Sequence, residues 1–309
     1  MNAILSDAVF DIAKINAEIA LDEKKALFDA EKTVDEEVEK TAQAVFESGA
    51  KVVLVSGRSA SGKTTFTRKV CEKLLEMGRE ARHISLDDFL LGMGYMPINE
   101  DGTFDMESIL GLDTALANKN IRLLIEEGKA DFPTFDFTKQ SRGEKWNRVE
   151  LGKNGLVMIE GIHALNPLLT ENIPQDAILR IFIEPKKEYV LNGKTVFDKR
   201  DIRLIRRMTR DELFRAWETE KTLIQWKSVL EGEKLYIEPY IELADIKVNS
   251  SVETEMAVFA DVLPKMLSKI QKDSPYFKAA EDFCAKLLLF SKAEKEKLPK
   301  DSLIREFVG

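Results

Sequence analysis

The segment Gly57, Arg58, Ser59, Ala60, Ser61, Gly62, Lys63, Thr64 constrains this chain more than any other. It follows the short apolar run 52–55 and opens a helical pattern that continues to Met77 and stops at Gly78. The spacing G-x-x-x-x-G-K-[ST] at a strand-to-helix junction is that of a phosphate-binding loop. Glycines let backbone amides turn inward around phosphate oxygens, and a helix starting near Lys63 aims its unsatisfied N–H groups and positive dipole end at the same anion. Lys63 would reach the β- and γ-phosphates. Thr64 would offer its hydroxyl to Mg²⁺, a hard ion that takes few protein ligands when phosphates are present. The expected nucleotide-binding set is thus the eight loop residues with Thr65, and the expected cofactors are ATP and Mg²⁺.

Similar short apolar runs recur at 82–86, 156–159 and 178–183, with helical patterns between them, and 246–248 adds a further candidate strand before a helix over about 252–270. Strands buried on both faces and alternating with helices predict a doubly wound, mostly parallel α/β sheet, the P-loop NTPase class in its nucleoside- or nucleotide-kinase form. Ahead of it, Ile12, Ile15, Ile19, Val34, Val38 and Val45 recur at helical spacings among charged residues, so residues 4–46 read as a helical preface packed on the core or on a second subunit. The expected organisation is a helical extension over 1–48 and a kinase domain over 49–259. Within that domain lie an acceptor-side insertion near 88–150 and a lid near 199–235. C-terminal helices and a docking tail fill 260–309.

Ligands of such sheets sit beyond the carboxyl ends of the strands. Acidic residues fall there at Asp87 and Asp88 after the second run and at Glu160 after the third. One carboxylate near a γ-phosphate can orient and deprotonate an acceptor hydroxyl while another serves the metal. Taken alone, Asp87 or Asp88 would more commonly be a helix cap or a turn residue. The stretch 132–142 mixes Phe132, Phe135 and Phe137 with Asp136, Gln140 and Arg142, a lining suited to a flat polar ligand or, equally, an exposed hairpin. Between 199 and 215, Arg203, Arg207 and Arg210 share one helical face. They read either as a lid that closes arginines over the transferring phosphoryl group or as a solvated helix paired with Asp201, Asp211, Glu212 and Glu218. His163 is a binding candidate of second rank, with a satisfied structural histidine as the commoner case. Trp217 and Trp226 read as packing residues.

The chain has 309 residues, 32% of them charged, with a net charge of -8, so a polyanion would be repelled and nucleic acid is not an expected partner. Cys71 and Cys284 lie far apart in apolar patterns without metal-ligand spacing. There is no apolar run of membrane-spanning length and no leader pattern, which predicts a cytoplasmic protein without a membrane partner. A homo-oligomer is compatible with the apolar helical faces.

Several motifs in one order resemble the phosphoribulokinase/uridine kinase family: the loop at 57–64, I-S-L-D-D-F from Ile84, F-D-F from Phe135, I-E-G-I-H from Ile159, and D-I-R-L-I-R-R-M-T-R-D from Asp201. Further stretches, including W-K-S-V-L-E-G-E, A-D-I-K-V-N-S-S and the terminal D-S-L-I-R-E-F-V-G, look like a bacterial uridine kinase-like subfamily. The resemblance implies phosphoryl transfer from MgATP to a nucleoside hydroxyl. It makes Asp87 and Lys63 catalytic, with Arg207 and Arg210 near the phosphates, and puts Thr64 and Glu160 at the metal. Phe135, Asp136, Gln140, Arg142, His163 and Arg203 would then serve the acceptor with Asp87. Uridine-cytidine kinases carry tyrosine where this chain has Leu90 and Phe135, and histidine where it has Gln140. The alternatives are a kinase of another small alcohol or sugar phosphate, and a regulatory module that binds ATP with little turnover.

Overall fold

The computed structural model describes residues 9–99, 102, 104–136 and 139–309. Residues 4–8 of the expected preface, and Phe137 and Thr138 of the aromatic stretch, lie outside the described residues. The described part of the preface opens on a short strand β1 (Val9–Asp11), where helix was expected, followed by α1 (Ile12–Ser48). Asp11 caps the helix by accepting from Ala13 N, and α1 breaks at Asp22, whose extended backbone and side chain re-cap the second half at Lys25 N.

The runs then fold as expected. They are β2 (Val52–Ser56), α2 (Lys63–Glu76) and β3 (Ala81–Ser85). The acceptor-side segment holds α3 (Thr114–Glu127), β4 (Lys129–Phe132), β5 (Phe135–Asp136), β6 (Ser141–Arg142) and β7 (Asn147–Glu150). The sheet resumes with β8 (Leu156–Glu160) and β9 (Ile178–Glu184). A hairpin, β10 (Glu188–Leu191) and β11 (Lys194–Phe197), precedes α4 (Lys199–Phe214) and α5 (Thr219–Tyr236). The chain ends in β12 (Ile246–Asn249), α6 (Glu255–Leu267), α7 (Phe277–Leu287) and a last short turn of helix, α8 (Arg305–Val308).

Five strands form one parallel sheet in the order β12-β9-β2-β8-β3. β2 is central because every one of its residues is apolar or small and buried. Its side chains alternate between two cores, as the pleat requires. Val53 and Val55 join α1, α2, α4 and α6 on one face, while Val52 and Leu54 join α3 on the other. The chain leaves β2 toward β3 on one side and later crosses to β9 on the other, so the loop after β2 opens at the switch point of the sheet.

The extension and the tail belong to the first of these cores. Leu27, Val34 and Val38 of α1 and Leu303, Ile304, Phe307 and Val308 of the tail share it with the sheet. β1 pairs in parallel with β10, closing a three-stranded sheet that the apolar periodicity did not predict. The β10–β11 turn has positive φ at Asn192 and Gly193, the geometry that Asn-Gly favours in two-residue hairpins.

Candidate active site

The loop after β2 has the shape of a phosphate cradle. A Cβ on Gly57 would meet the Ile183 carbonyl at 2.2 Å and Ser61 Oγ at 2.7 Å, so only glycine lets the loop lie against β9. Ala60 and Gly62 take positive φ values, folding the intervening backbone into a nest. Ser61 Oγ is buried and unpartnered, and α2 begins without a side-chain cap from its own N-cap residue. These features fit a triphosphate: a helix head whose first amides have no partner within the helix, a buried hydroxyl aimed into the loop, and Lys63, whose Nζ donates to the Arg58 carbonyl at 3.1 Å.

The carboxylates expected at strand ends converge here. Glu160, last in β8, accepts from Thr64 Oγ1 and Ser85 Oγ, each at 3.2 Å. Burial works to raise its pKa, but the neighbouring His83, Lys63 and Thr64 outweigh burial and leave it lowered. From β3, His83 places its Nε2 3.9 Å from Glu160, a neighbour the sequence reading did not single out. Asp87 follows in the 3-10 turn Leu86–Phe89, and its backbone amide donates to Ser85 Oγ, which caps the turn. Its carboxyl is pushed up by burial and then by the Glu160 charge, against the pull of Arg215, Lys63 and Arg210. Two carboxylates with oppositely displaced pKa values thus flank one lysine, an arrangement in which one can exchange a proton while the other stays charged. Lys63 itself is pushed down, first by burial, with Glu160, Glu306 and Asp87 pulling the other way.

Among the described residues no group of three His, Cys, Asp or Glu side chains could hold a metal on its own. Thr64 and Glu160 fit the sparse protein contribution that Mg²⁺ accepts beside phosphates.

Arg200 of α4 is exposed, but Arg203 and Arg206 are buried and Arg207 and Arg210 half-buried. Arg203 is paired with Glu233 of α5 and donates to the Ser59 carbonyl at 3.3 Å, so it reaches the loop backbone rather than open space. Arg206 is fully buried on Glu255, with Nη1 3.4 Å from the Ala60 carbonyl. Carbonyl and following amide face opposite ways in a peptide plane, so anchoring these two carbonyls turns the next amides away from α4. Arg207 donates to Ser59 Oγ at 2.8 Å and Glu107 Oε1 at 3.3 Å, and Arg210 to Asp211 at 2.7 Å. Arg58 extends the lattice by donating to Glu184, Glu233 and Glu238.

On the acceptor side, Asp88 accepts from Phe135 N at 3.3 Å, tying the β5–β6 hairpin to the turn that carries Asp87. Phe135 and Asp136 are half-buried, Gln140 sits exposed at the hairpin turn with positive φ, and Arg142 donates to Asp113 at 2.9 Å. Phe132 lies apart, buried edge-on against Phe89. His163 is buried beside Tyr236, its pKa lowered to about 4 chiefly by burial, so it is neutral near pH 7. Trp226 packs under Arg203, and Trp217 lies in the α4–α5 loop. Sequence reasoning missed Glu107, Glu233 and Glu255, each the acid of an arginine, and Glu306. Several buried arginines imply as many buried acids, but the partners sit 30 to 100 residues away, outside any local pattern.

A family model described as phosphoribulokinase/uridine kinase family matches residues 52–257. The chain belongs to that family. It is 27% identical over 230 residues to a uridine kinase of Borrelia duttonii, covering 74% of this chain and 98% of the relative. A uridine kinase of Ligilactobacillus salivarius is 26% identical over 208 residues, covering 67% and 88%. Among solved structures, a possible uridine kinase from Bacillus stearothermophilus overlaps 70% of this chain and 98% of its own at 16% identity and a TM-score of 0.47. The phosphoribulokinase of Rhodobacter spheroides overlaps 84% and 99% at 17% identity and 0.45. No helix among the described residues is long and apolar enough to cross a membrane.

Proposed function

We propose that the protein transfers a phosphoryl group from ATP to a hydroxyl of a nucleoside-like acceptor, with Asp87 as general base. The observation that carries this reading is the convergence of Lys63 and Thr64 at the head of α2 with Glu160 and Asp87 beyond the neighbouring strands. Bound Mg²⁺ would supply charge neutralisation between the phosphate oxygens, held from the protein by Thr64 and Glu160. The chain's own part is positioning: the loop amides and Lys63 orient the triphosphate, and Asp87 takes the acceptor proton. A carboxyl raised toward working pH is the better base for a weakly acidic alcohol. Arg207 and Arg210 face the loop from α4 and would stabilise charge on the transferring group.

On the acceptor side Arg142 is already paired with Asp113, so a phosphorylated acceptor that used this guanidinium would have to displace that carboxylate. Uridine kinases among the relatives support the nucleoside class, while Leu90, Phe135 and Gln140 replace polar groups of the uridine pocket and leave the base open.

The test is MgATP-dependent ADP release across nucleosides, sugar phosphates and small alcohols, with an acceptor-free control and Lys63→Ala as a blank. Stimulation by at least one nucleoside, absent in the Lys63→Ala chain, is expected. Stimulation by sugar phosphates alone would replace the acceptor class, and ATP binding with no stimulated release would move the protein to the regulatory class.

A further inference from the structure

The head of α2 is already holding an anion, and the anion comes from the other end of the chain. Glu306 Oε2, in the last turn of helix, accepts from Thr65 N at 2.9 Å. Within α2 the Phe66 amide finds the Gly62 carbonyl, so Thr65 belongs to the first-turn amides that have no partner inside the helix. Those amides are what a phosphate-binding loop offers its ligand. Gly62, the N-cap, supplies no side chain, and Leu303 packs directly on it: a Cβ there would meet Leu303 Cδ2 at 2.9 Å.

The seat is fixed but the carboxylate is not. Leu303, Ile304, Phe307 and Val308 are fully buried, Phe307 lies under the Arg206 guanidinium, and Ser302 and the Leu303 amide bond Glu31 of α1. Glu306 itself is only partly buried. It can leave Thr65 by turning its own side chain while the tail stays seated.

We propose that Glu306 is an internal competitor for the nucleotide and sets its affinity: the carboxylate takes an amide that the triphosphate uses, and its negative charge must swing away when the nucleotide binds. This rests on the nucleotide reading given above. The ordinary alternative is that Glu306 is a helix cap lent by the tail, which would stabilise the loop and favour binding. The two differ in sign.

Glu306→Gln separates them, because an amide oxygen still caps Thr65 but carries no charge. The dissociation constant of MgATP is measured by calorimetry for wild type, Glu306→Gln and Lys63→Ala, with the melting temperature of each. A competitor predicts about tenfold tighter binding by Glu306→Gln, the scale of one charge-assisted hydrogen bond. Unchanged or weaker binding with a lowered melting temperature overturns the proposal and leaves a cap. No MgATP binding by either folded chain overturns the nucleotide reading as well, which distinguishes the two failures. Should Glu306→Gln not fold, the wild-type chain still decides. Saturating MgATP must shift both the Thr65 amide and the Glu306 side-chain carboxyl resonance, and an unmoved Glu306 resonance overturns the proposal.

Discussion

At the scale of single residues the most informative group is Asp87. A raised pKa means that the ionised side chain is poorly accommodated by the fold. Between the ordinary carboxylate value of 3.8 and the raised one, the folded chain holds a proton that the unfolded chain has released. Stability therefore falls as pH rises through that window, and the deficit persists above it. Asp87→Asn removes the deficit, so at neutral pH it should raise the melting temperature by a few degrees. The same change should cut acceptor-dependent turnover by about 10²–10⁴, the usual contribution of a positioned base. In wild type, kcat/KM should climb with pH through a carboxylate value above the ordinary one. A melting curve and a pH–rate profile of both chains check this. A destabilised Asp87→Asn, or a profile that it leaves unaltered, would remove Asp87 from the role of base.

At the scale of elements, α4 decides the shape of the loop through buried ion pairs. Arg206 and Glu255 are fully buried, and Arg206 reaches both the Ala60 and Ser250 carbonyls. Removing one partner of such a pair leaves an uncompensated charge and typically costs about 3–5 kcal/mol. Glu255→Gln should lose stability on that scale in denaturant titrations and weaken ATP binding together with it, because the stranded guanidinium also holds the loop. Arg206→Met with Glu255→Leu should recover most of the stability and little of the binding. Recovery of both would show that the pair serves packing alone.

The same element marks the limit of what the sequence made legible. The strands of the main sheet and α2 were readable because continuous apolar runs and the glycine loop announce themselves locally. So was the gathering of Lys63, Thr64, Asp87 and Glu160 at one end of the sheet, since ligands of such sheets sit beyond the carboxyl ends of the strands. Arg203 and Arg206 were not readable in the same way. Helical spacing put Arg203 on a face with Arg207 and Arg210, but spacing cannot say whether a guanidinium meets a phosphate, water or a glutamate brought in from 30 or 49 residues away. β1 was lost for a related reason: three residues carry no period, and its partner β10 lies across most of the chain.

At the scale of the whole molecule, α1 and the tail share one hydrophobic core with the sheet. Glu31 of α1 is buried and bonds Ser302 and the Leu303 amide, while Leu303 covers Gly62 of the loop. Lys69 of α2 reaches Asp35 at 2.6 Å and Asp301 at 3.4 Å, joining preface, loop helix and tail. Each fully buried apolar side chain of the tail contributes about 1.5–3 kcal/mol, and four of them rival the net stability of a typical domain, about 5–15 kcal/mol. Preface, sheet and tail should therefore unfold in one transition. A chain of residues 49–309 would expose the core face that Leu27, Val34 and Val38 cover and would strip the tail of Glu31. It should fail to fold cooperatively, and any residual structure should bind nucleotide poorly because Leu303 no longer braces Gly62. Calorimetry of the full and shortened chains checks this directly. A shortened chain that melts in a single sharp transition within a few degrees of the full one would mean that the helical preface is an accessory resting on a self-sufficient kinase core.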